Sequence, residues 1–122
     1  MIYIASPYSD KSFAVREKRH RSVEALTAFL LRNKVWCFSP IVHCHELATQ
    51  HEMPTDHAYW KEYDEHMLSI STAILVHEQE GWENSVGVTE EIKYANSINL
   101  RLFFHLKEES YEQLLLKVRS HV

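Results

Sequence analysis

Short apolar runs alternate along the chain with longer segments of helical periodicity, and this alternation restricts the fold more than any other feature of the sequence. The apolar runs are residues 2–6, 35–40, 72–77 and 100–106, and helical patterns cover residues 12–33, 58–70, 92–99 and 109–118. Strands that alternate with helices form a parallel sheet with helices on both faces. We therefore predict an α/β three-layer sandwich with a flavodoxin-like parallel sheet of four to five strands, in which the first strand is central.

Residues 41–57 are polar, and we predict them to be mainly loop, with one short helix around residues 45–50. A fifth strand would have to come from this segment or from a partner. The segment is rich in potential metal ligands, namely His43, Cys44, His45, His51 and His57. His43 and His45 would share a face of an extended chain, but the spacing matches none of the standard zinc patterns. We therefore predict no metal site and no cofactor, and we interpret His43 as a substrate contact or an ordinary hydrogen-bonded residue.

The composition is typical of a globular protein. The chain has 122 residues, of which 45% are hydrophobic and 25% charged, and we predict a single domain over residues 1–122. The net charge of −4 argues against binding to polymeric nucleic acid, and no apolar run approaches the ~18 residues of a membrane span. Two cysteines without a CxxC spacing, and an N-terminus that leads directly into a strand, predict a cytoplasmic protein without a signal peptide.

The segment after the third predicted strand is the strongest candidate for a functional site. Residues 81–95 contain both glycines of the chain, Gly81 and Gly87, and we predict a loop followed by a helix from Ile92. Ligands of open α/β sheets bind beyond the carboxyl ends of the strands. We therefore interpret this segment as an active-site segment.

Glu91 is the candidate working residue of that segment. It lies beside the apolar positions Val88 and Ala95, whose spacing predicts a buried helix face, whereas Glu90 is predicted to face solvent. We expect the helix dipole to keep a carboxylate in the first turn ionised. The alternative is that both acids are ordinary residues of a helix N-terminus.

Two further charged positions each have a functional and an ordinary interpretation. Asp64 lies on a largely apolar stripe of its predicted helix, where an acid is hydrogen-bonded, used in chemistry, or placed at the edge of the stripe facing water. Arg16 or Arg19, near the loop after the first strand, either contacts a phosphate or belongs to a solvated helix face. The sequence leaves these alternatives open.

Three segments in this order resemble the nucleoside 2-deoxyribosyltransferase superfamily, from Tyr3 to about Phe104. They are Tyr3-Ile4-Ala5-Ser6-Pro7, the helix that carries Asp64, and Ser85-Val86-Gly87-Val88-Thr89-Glu90-Glu91-Ile92 with Ala95. The chain looks similar to a small branch of the superfamily whose members open with a Tyr-Ile-Ala-Ser/Gly-Pro strand. The superfamily also includes N-glycoside hydrolases that act on deoxynucleoside monophosphates.

The resemblance implies roles for individual residues. The family pattern Ser-x-Gly-x-x-x-Glu-x-x-x-Ala falls on Ser85, Gly87, Glu91 and Ala95. It implies that Glu91 is the nucleophile at the anomeric carbon, that Asp64 is the acid or base near the leaving base, and that Tyr3 lies next to the nucleophile. The predicted substrate-binding residues are Ser6, Pro7, Ser85, Gly87, His43, Trp82 and Arg19.

Two departures from the family pattern leave the substrate open. Lys93 stands where the family often has glycine, and residues 81–84 lengthen the loop. We predict an enzyme that cleaves or exchanges the N-glycosidic bond of a (deoxy)nucleoside or nucleoside 5′-monophosphate, by hydrolysis or by transfer. The alternatives are a non-catalytic nucleotide-binding module of the same fold and a metal-dependent hydrolase that uses His43, His45 and a carboxylate.

The resemblance also implies self-association. Relatives complete their pockets with residues of a neighbouring subunit, so we predict a homodimer or a higher homo-oligomer. Trp36, Trp60 and Trp82 are the candidates for a partly apolar contact surface.

Overall fold

The computed structural model describes residues 1–120 of the chain. The elements are β1 (Ile2–Ala5), α1 (Phe13–Arg32), β2 (Cys37–Phe38), α2 (Pro40–Gln50), α3 (His57–Ser69), β3 (Ala73–His77), a 3₁₀ turn (Trp82–Asn84), α4 (Val86–Ser97), β4 (Arg101–His105) and α5 (Tyr111–Arg119). Within this range, none of the helices combines the length and the apolar composition that a membrane crossing requires. The last two residues of the predicted domain, 121–122, lie outside the described residues.

The sheet confirms the predicted fold class. Its four strands are all parallel, in the order β2-β1-β3-β4, so β1 is an internal strand. The chain leaves β1 toward β2 and then returns across β1 to β3. Connections that diverge in this way open a crevice beyond the carboxyl ends of the two strands, where ligands bind in open α/β sheets.

The two faces of the sheet are covered by different helices because successive strand residues point to opposite faces. Ile2 and Ile4 of β1 pack in a buried cluster with residues of α1 and α5. Tyr3 and Ala5 pack in a second cluster with residues of α3 and α4. The phase of β1 therefore directs the Tyr3 side chain toward the layer that contains Glu91.

The prediction that residues 41–57 are mainly loop is wrong, because helix α2 occupies Pro40–Gln50. The Ser39 hydroxyl accepts a hydrogen bond from the Val42 amide at 3.2 Å and caps the helix. Pro40, which we interpreted as the end of a strand, lies in the first turn, where a missing N–H is tolerated. The preceding strand has two residues, Cys37–Phe38, and this segment adds no fifth strand to the described sheet.

Helix α4 begins earlier than predicted, at Val86 rather than Ile92. The Ser85 hydroxyl accepts a hydrogen bond from the Val88 amide at 3.2 Å, the usual geometry of a helix N-cap. Gly87 is thus part of the first turn and not of the loop. The first turn contains no acid, so the predicted acidic helix start is wrong and Glu91 lies in the second turn.

The three tryptophans predicted to form a contact surface have different environments. Trp36 is 55% exposed, whereas the Trp60 indole donates a hydrogen bond to the Pro54 carbonyl at 2.8 Å. Trp82 packs edge-on against Phe104, with ring centroids 5.9 Å apart. A homo-oligomer stays a prediction, and Trp36 is the most exposed of the three tryptophans.

Candidate active site

A cavity of about 680 Å³ lies beyond the carboxyl ends of β1 and β3, in the crevice that the strand order creates. Its walls come from the loop after β1, from α2, from the start of α3 and from the β3–α4 connection. The size is typical of a pocket for a small organic ligand. Among the residues that line it are the predicted site residues Ser6, Arg19, Asp64, Ser85, Gly87 and Glu91.

Tyr3 and Glu91 are joined by a buried hydrogen bond, in which the Tyr3 hydroxyl donates to Oε2 of Glu91. Glu91 follows the buried Val88 by three positions and precedes the buried Ala95 by four, so it lies within the inward face of α4. Tyr3 itself is fully buried beneath the cavity. The fold thus places a carboxyl group in the cavity wall and a phenol hydroxyl behind it.

The pKa of Glu91 differs from the one expected for a carboxylate at the start of a helix. Burial raises the pKa of Glu91 well above its usual range, the nearby Asp64 carboxyl raises it further, and the hydrogen bond from Tyr3 lowers it. Burial also raises the pKa of Asp64 to about 7. Burial therefore opposes the expected effect of the helix dipole on Glu91 and outweighs it, because desolvation disfavours the charged form of a carboxyl group.

Several polar atoms in the cavity wall are buried without a partner. Oδ1 of Asp64, Oγ of Ser6 and Nε2 of His57 form no hydrogen bond within residues 1–120. The interpretation of Asp64 as an edge residue facing water is wrong, because its side chain is buried and lines the cavity. Unpaired polar atoms around a cavity are where the hydrogen-bonding groups of a ligand fit.

The start of α4 and the Arg19 guanidinium form the cationic part of the wall. Arg19 is held by a hydrogen bond from Nη1 to the Ser9 carbonyl at 2.9 Å. Gly81 has a φ of +89°, and a Cβ at this position would lie 2.7 Å from Nη2 of Arg19, so glycine leaves the space that the guanidinium occupies. Amide N–H groups of a helix's first turn have no partners within the helix, and such N-termini bind anions.

Residues 1–106 match the family model described as Domain of unknown function (DUF1937). The chain belongs to this family. The matched range ends just after β4 and includes every strand and all residues that line the cavity, so the DUF1937 domain contains the whole candidate site and leaves α5 outside. No curated protein matches the chain.

Three predicted substrate-binding residues of the DUF1937 domain are not among the residues that line the cavity. Pro7 is buried next to Ser6. His43 lies on the exposed side of α2, with its ring stacked on Tyr63 at 5.8 Å, and Trp82 packs against Phe104. His43 and His45 do not share a face, because the segment is helical rather than extended and His45 is buried whereas His43 is exposed.

Other residues of the DUF1937 cavity were not predicted to bind substrate. Trp60 lies one turn before Asp64 on α3 and lines the same cavity. The i, i+4 spacing of these two residues could have predicted that both side chains lie on the cavity side of the helix. His57, the first residue of α3, lies against Gly87, and burial lowers its pKa. Tyr8 lines the cavity and its hydroxyl is hydrogen-bonded to Nδ1 of His45 at 2.6 Å.

Proposed function

We propose that this protein cleaves or exchanges the N-glycosidic bond of a (deoxy)nucleoside or nucleoside 5′-monophosphate. The observation that carries the proposal is that Glu91 and Asp64 line one cavity while the Tyr3 hydroxyl holds Glu91 from behind. Glycosidases use two carboxyl groups that flank the sugar. The resemblance of the three motif segments to the nucleoside 2-deoxyribosyltransferase superfamily also supports this reaction.

In the first step, Glu91 attacks the anomeric carbon of the sugar. A bond forms between its carboxylate oxygen and that carbon, while the bond from the carbon to the base nitrogen breaks and leaves its electron pair on the base. Asp64, whose pKa is about 7, donates its proton to the departing base. The Tyr3 hydrogen bond favours the ionised form of Glu91 and fixes the direction of its carboxylate.

In the second step, water or another base attacks the glycosyl-enzyme and releases Glu91. Asp64 accepts the proton of the attacking group and returns to its starting form. Water gives hydrolysis and a second base gives transfer. Both reactions use the same two carboxyl groups.

The remaining cavity residues suit the other parts of a nucleotide. Arg19, the Ser85 hydroxyl and the first-turn amides of α4 suit a 5′-phosphate. The Trp60 ring lines the same cavity and offers a surface for stacking of a base. The cavity therefore offers groups suited both to a phosphate and to a base.

The test is to incubate the purified protein with a panel of nucleosides and 5′-monophosphates and to measure released base by chromatography. Glu91→Gln should reduce turnover by at least ~100-fold, the loss typical of a catalytic group, while ligand binding persists. Glu90→Gln is the matched control, because Glu90 is the neighbouring acid on the same helix and does not line the cavity. Binding by the wild-type protein without released or exchanged base would contradict the proposal and identify a non-catalytic nucleotide-binding module.

A further inference from the structure

A second cluster of ionisable side chains lies between α1 and α2. Glu17 and His20 are three positions apart on one face of α1, and His45 projects toward them from α2. One donor atom from each of the three side chains lies within 4.8 Å of the other two. The closest pair, Nε2 of His45 and Oε2 of Glu17, is 2.8 Å apart.

The outer atoms of two of these groups are already held by other side chains. Nδ1 of His45 is hydrogen-bonded to the Tyr8 hydroxyl at 2.6 Å, and the Arg21 Nε donates to Oε1 of Glu17 at 3.3 Å. The inner atoms, Nε2 of His45 and Oε2 of Glu17, face each other. Metal-binding histidines and carboxylates are oriented in this way by hydrogen bonds to the atom that does not bind the metal.

His20 is the third side chain of the cluster, and its ring is buried without full hydrogen bonding. It is 6% exposed, and its Nδ1 has no hydrogen-bond partner in the described part of the chain. Its ring stacks on that of His45, with centroids 4.2 Å apart. A buried ring with an unpartnered polar atom is suited to gain a ligand in this cluster.

We propose that Glu17, His20 and His45 bind one divalent first-row transition-metal ion, Zn²⁺ foremost. Two imidazoles and one carboxylate form a donor set that zinc uses with a fourth, open position. Calcium and magnesium prefer sites made of oxygen ligands. Glu17 is 29% exposed on its side chain, which gives an ion and a water molecule access from solvent.

Binding requires a small movement of the side chains. Zinc–ligand distances of about 2.0–2.2 Å in a tetrahedron place donor atoms about 3.4 Å apart, so donors at the 4.8 Å limit approach each other by about 1.4 Å. The consequence is a cross-link between α1 and α2. Because Tyr8 and His45 also line the cavity, the ion would fix part of the cavity wall, independently of the reaction that occurs there.

The site is tested by titrating the untagged, chelator-stripped full chain with Zn²⁺ in a calorimeter, and with Co²⁺ while recording the visible spectrum. We expect one tight equivalent per chain, a higher Tm with Zn²⁺, and the strong visible bands of four-coordinate Co²⁺. Glu17→Gln and His20→Gln should each weaken the affinity by at least ~10-fold, the lower loss seen even for outer groups of metal sites.

Two exposed histidines serve as controls for adventitious binding. His51→Gln and His66→Gln remove histidines on the protein surface and should leave the affinity unchanged. Circular dichroism checks the fold of each variant. Since Glu17 is partly exposed, Glu17→Gln remains informative if the buried His20 variant does not fold. Absence of a tight equivalent, unchanged affinity in Glu17→Gln, or loss of binding in the control variants would overturn the proposal.

Discussion

The Tyr3 hydroxyl donates a hydrogen bond to Oε2 of Glu91, a residue 88 positions away in the sequence. The strand period directs the Tyr3 ring to the same face of the sheet as α4, and the helix period places Glu91 on the inward face of that helix. The contact depends on both periods together. It connects the central strand of the fold to the carboxyl group that lines the cavity.

Replacing Tyr3 by phenylalanine should reduce turnover without removing the fold. The hydrogen bond from Tyr3 opposes the rise in the pKa of Glu91, so its loss leaves a smaller ionised fraction. We expect kcat for base release to fall ~10–100-fold, the lower range for groups that assist a catalytic residue, with little change in KM. Tyr111→Phe is the control, because Tyr111 packs against Phe29 on the opposite face of the sheet. Equal activity of Tyr3→Phe and wild type would contradict this role.

The pH dependence of the reaction should reflect the proton on Asp64. The proposed acid is active when protonated, and burial raises the pKa of Asp64 to about 7. We therefore expect kcat/KM to fall as the pH rises through about 7. In Asp64→Asn this decrease of kcat/KM at alkaline pH should be absent. The activity that remains should be lowest for substrates with poor leaving bases. The measurement is a pH–rate profile of both proteins, and an identical alkaline limb in both would argue against Asp64 as the acid.

Asp64 should also make the folded state less stable at alkaline pH. Its folded pKa of about 7 lies above the ordinary value of 3.8, so its contribution to stability is full below about pH 4 and is lost as the pH rises through 7. The difference of about three pKa units corresponds to about 4 kcal/mol. Asp64→Asn should therefore be more stable than wild type at pH 8 and not at pH 4, in urea unfolding followed by circular dichroism. A constant difference between the two proteins across this range would contradict the shifted pKa.

The fold could be predicted from the sequence because its signal is local. Runs such as residues 73–76 are apolar at every position, as strands covered on both faces are, and the intervening helical periods then imply parallel connections. The start of α2 was missed because Ser39-Pro40 is compatible both with a strand end and with a helix cap. Ser39-Pro40 acts as a helix cap only when the residues after it are helical, and the sequence of those residues did not predict a helix that starts at Pro40.

The proximity of Tyr3, Asp64 and Glu91 could be predicted from the sequence, but the electrostatics of the cavity could not. Glu91, Asp64 and Tyr3 were identified from motif order, and they meet because all three belong to the α3–α4 side of the sheet. The pKa shifts depend on how completely the carboxyl groups are covered, which no sequence spacing records. The Glu17–His20–His45 cluster combines one local pair, three positions apart on α1, with a residue of α2, and no sequence spacing shows that these two helices pack together.

Gly81 provides a test of the anion-binding end of the cavity. Its φ of +89° disfavours other residues, and a Cβ would lie 2.7 Å from Nη2 of Arg19. Gly81→Ala should lower stability by about 1–2 kcal/mol and should raise KM for 5′-monophosphates more than for nucleosides, because Arg19 is displaced. Gly87→Ala is the stability control, since it is helical and its Cβ would lie 3.4 Å from Nδ1 of His57, where alanine is tolerated. Equal stability of Gly81→Ala and wild type would show that the loop adapts.

The buried histidine pair at the ends of β3 and β4 should make the protein sensitive to acid. Nδ1 of His77 and Nδ1 of His105 are 3.0 Å apart, and Nε2 of His77 is hydrogen-bonded to the Ser22 hydroxyl at 2.9 Å. Burial, and then the neighbouring His105, lower the pKa of His77 from 6.5 to about 4. Because the unfolded state binds this proton first, stability is full above pH 6.5 and is lost as the pH falls toward 4.

The difference of about 2.5 pKa units corresponds to about 3 kcal/mol of unfolding free energy. Urea unfolding at pH 7.5 and at pH 4.5 gives the change in stability for the wild type and for each variant, and the opposite contribution of Asp64 over this interval is common to all of them. His77→Gln removes the titrating ring while it keeps a polar group beside Ser22, so acidification should cost the wild type more than this variant by most of about 3 kcal/mol. His51→Gln, which changes an exposed histidine, should retain the loss seen in the wild type. If His77→Gln and wild type lose the same stability, the acid sensitivity comes from other groups and His77 is not its source.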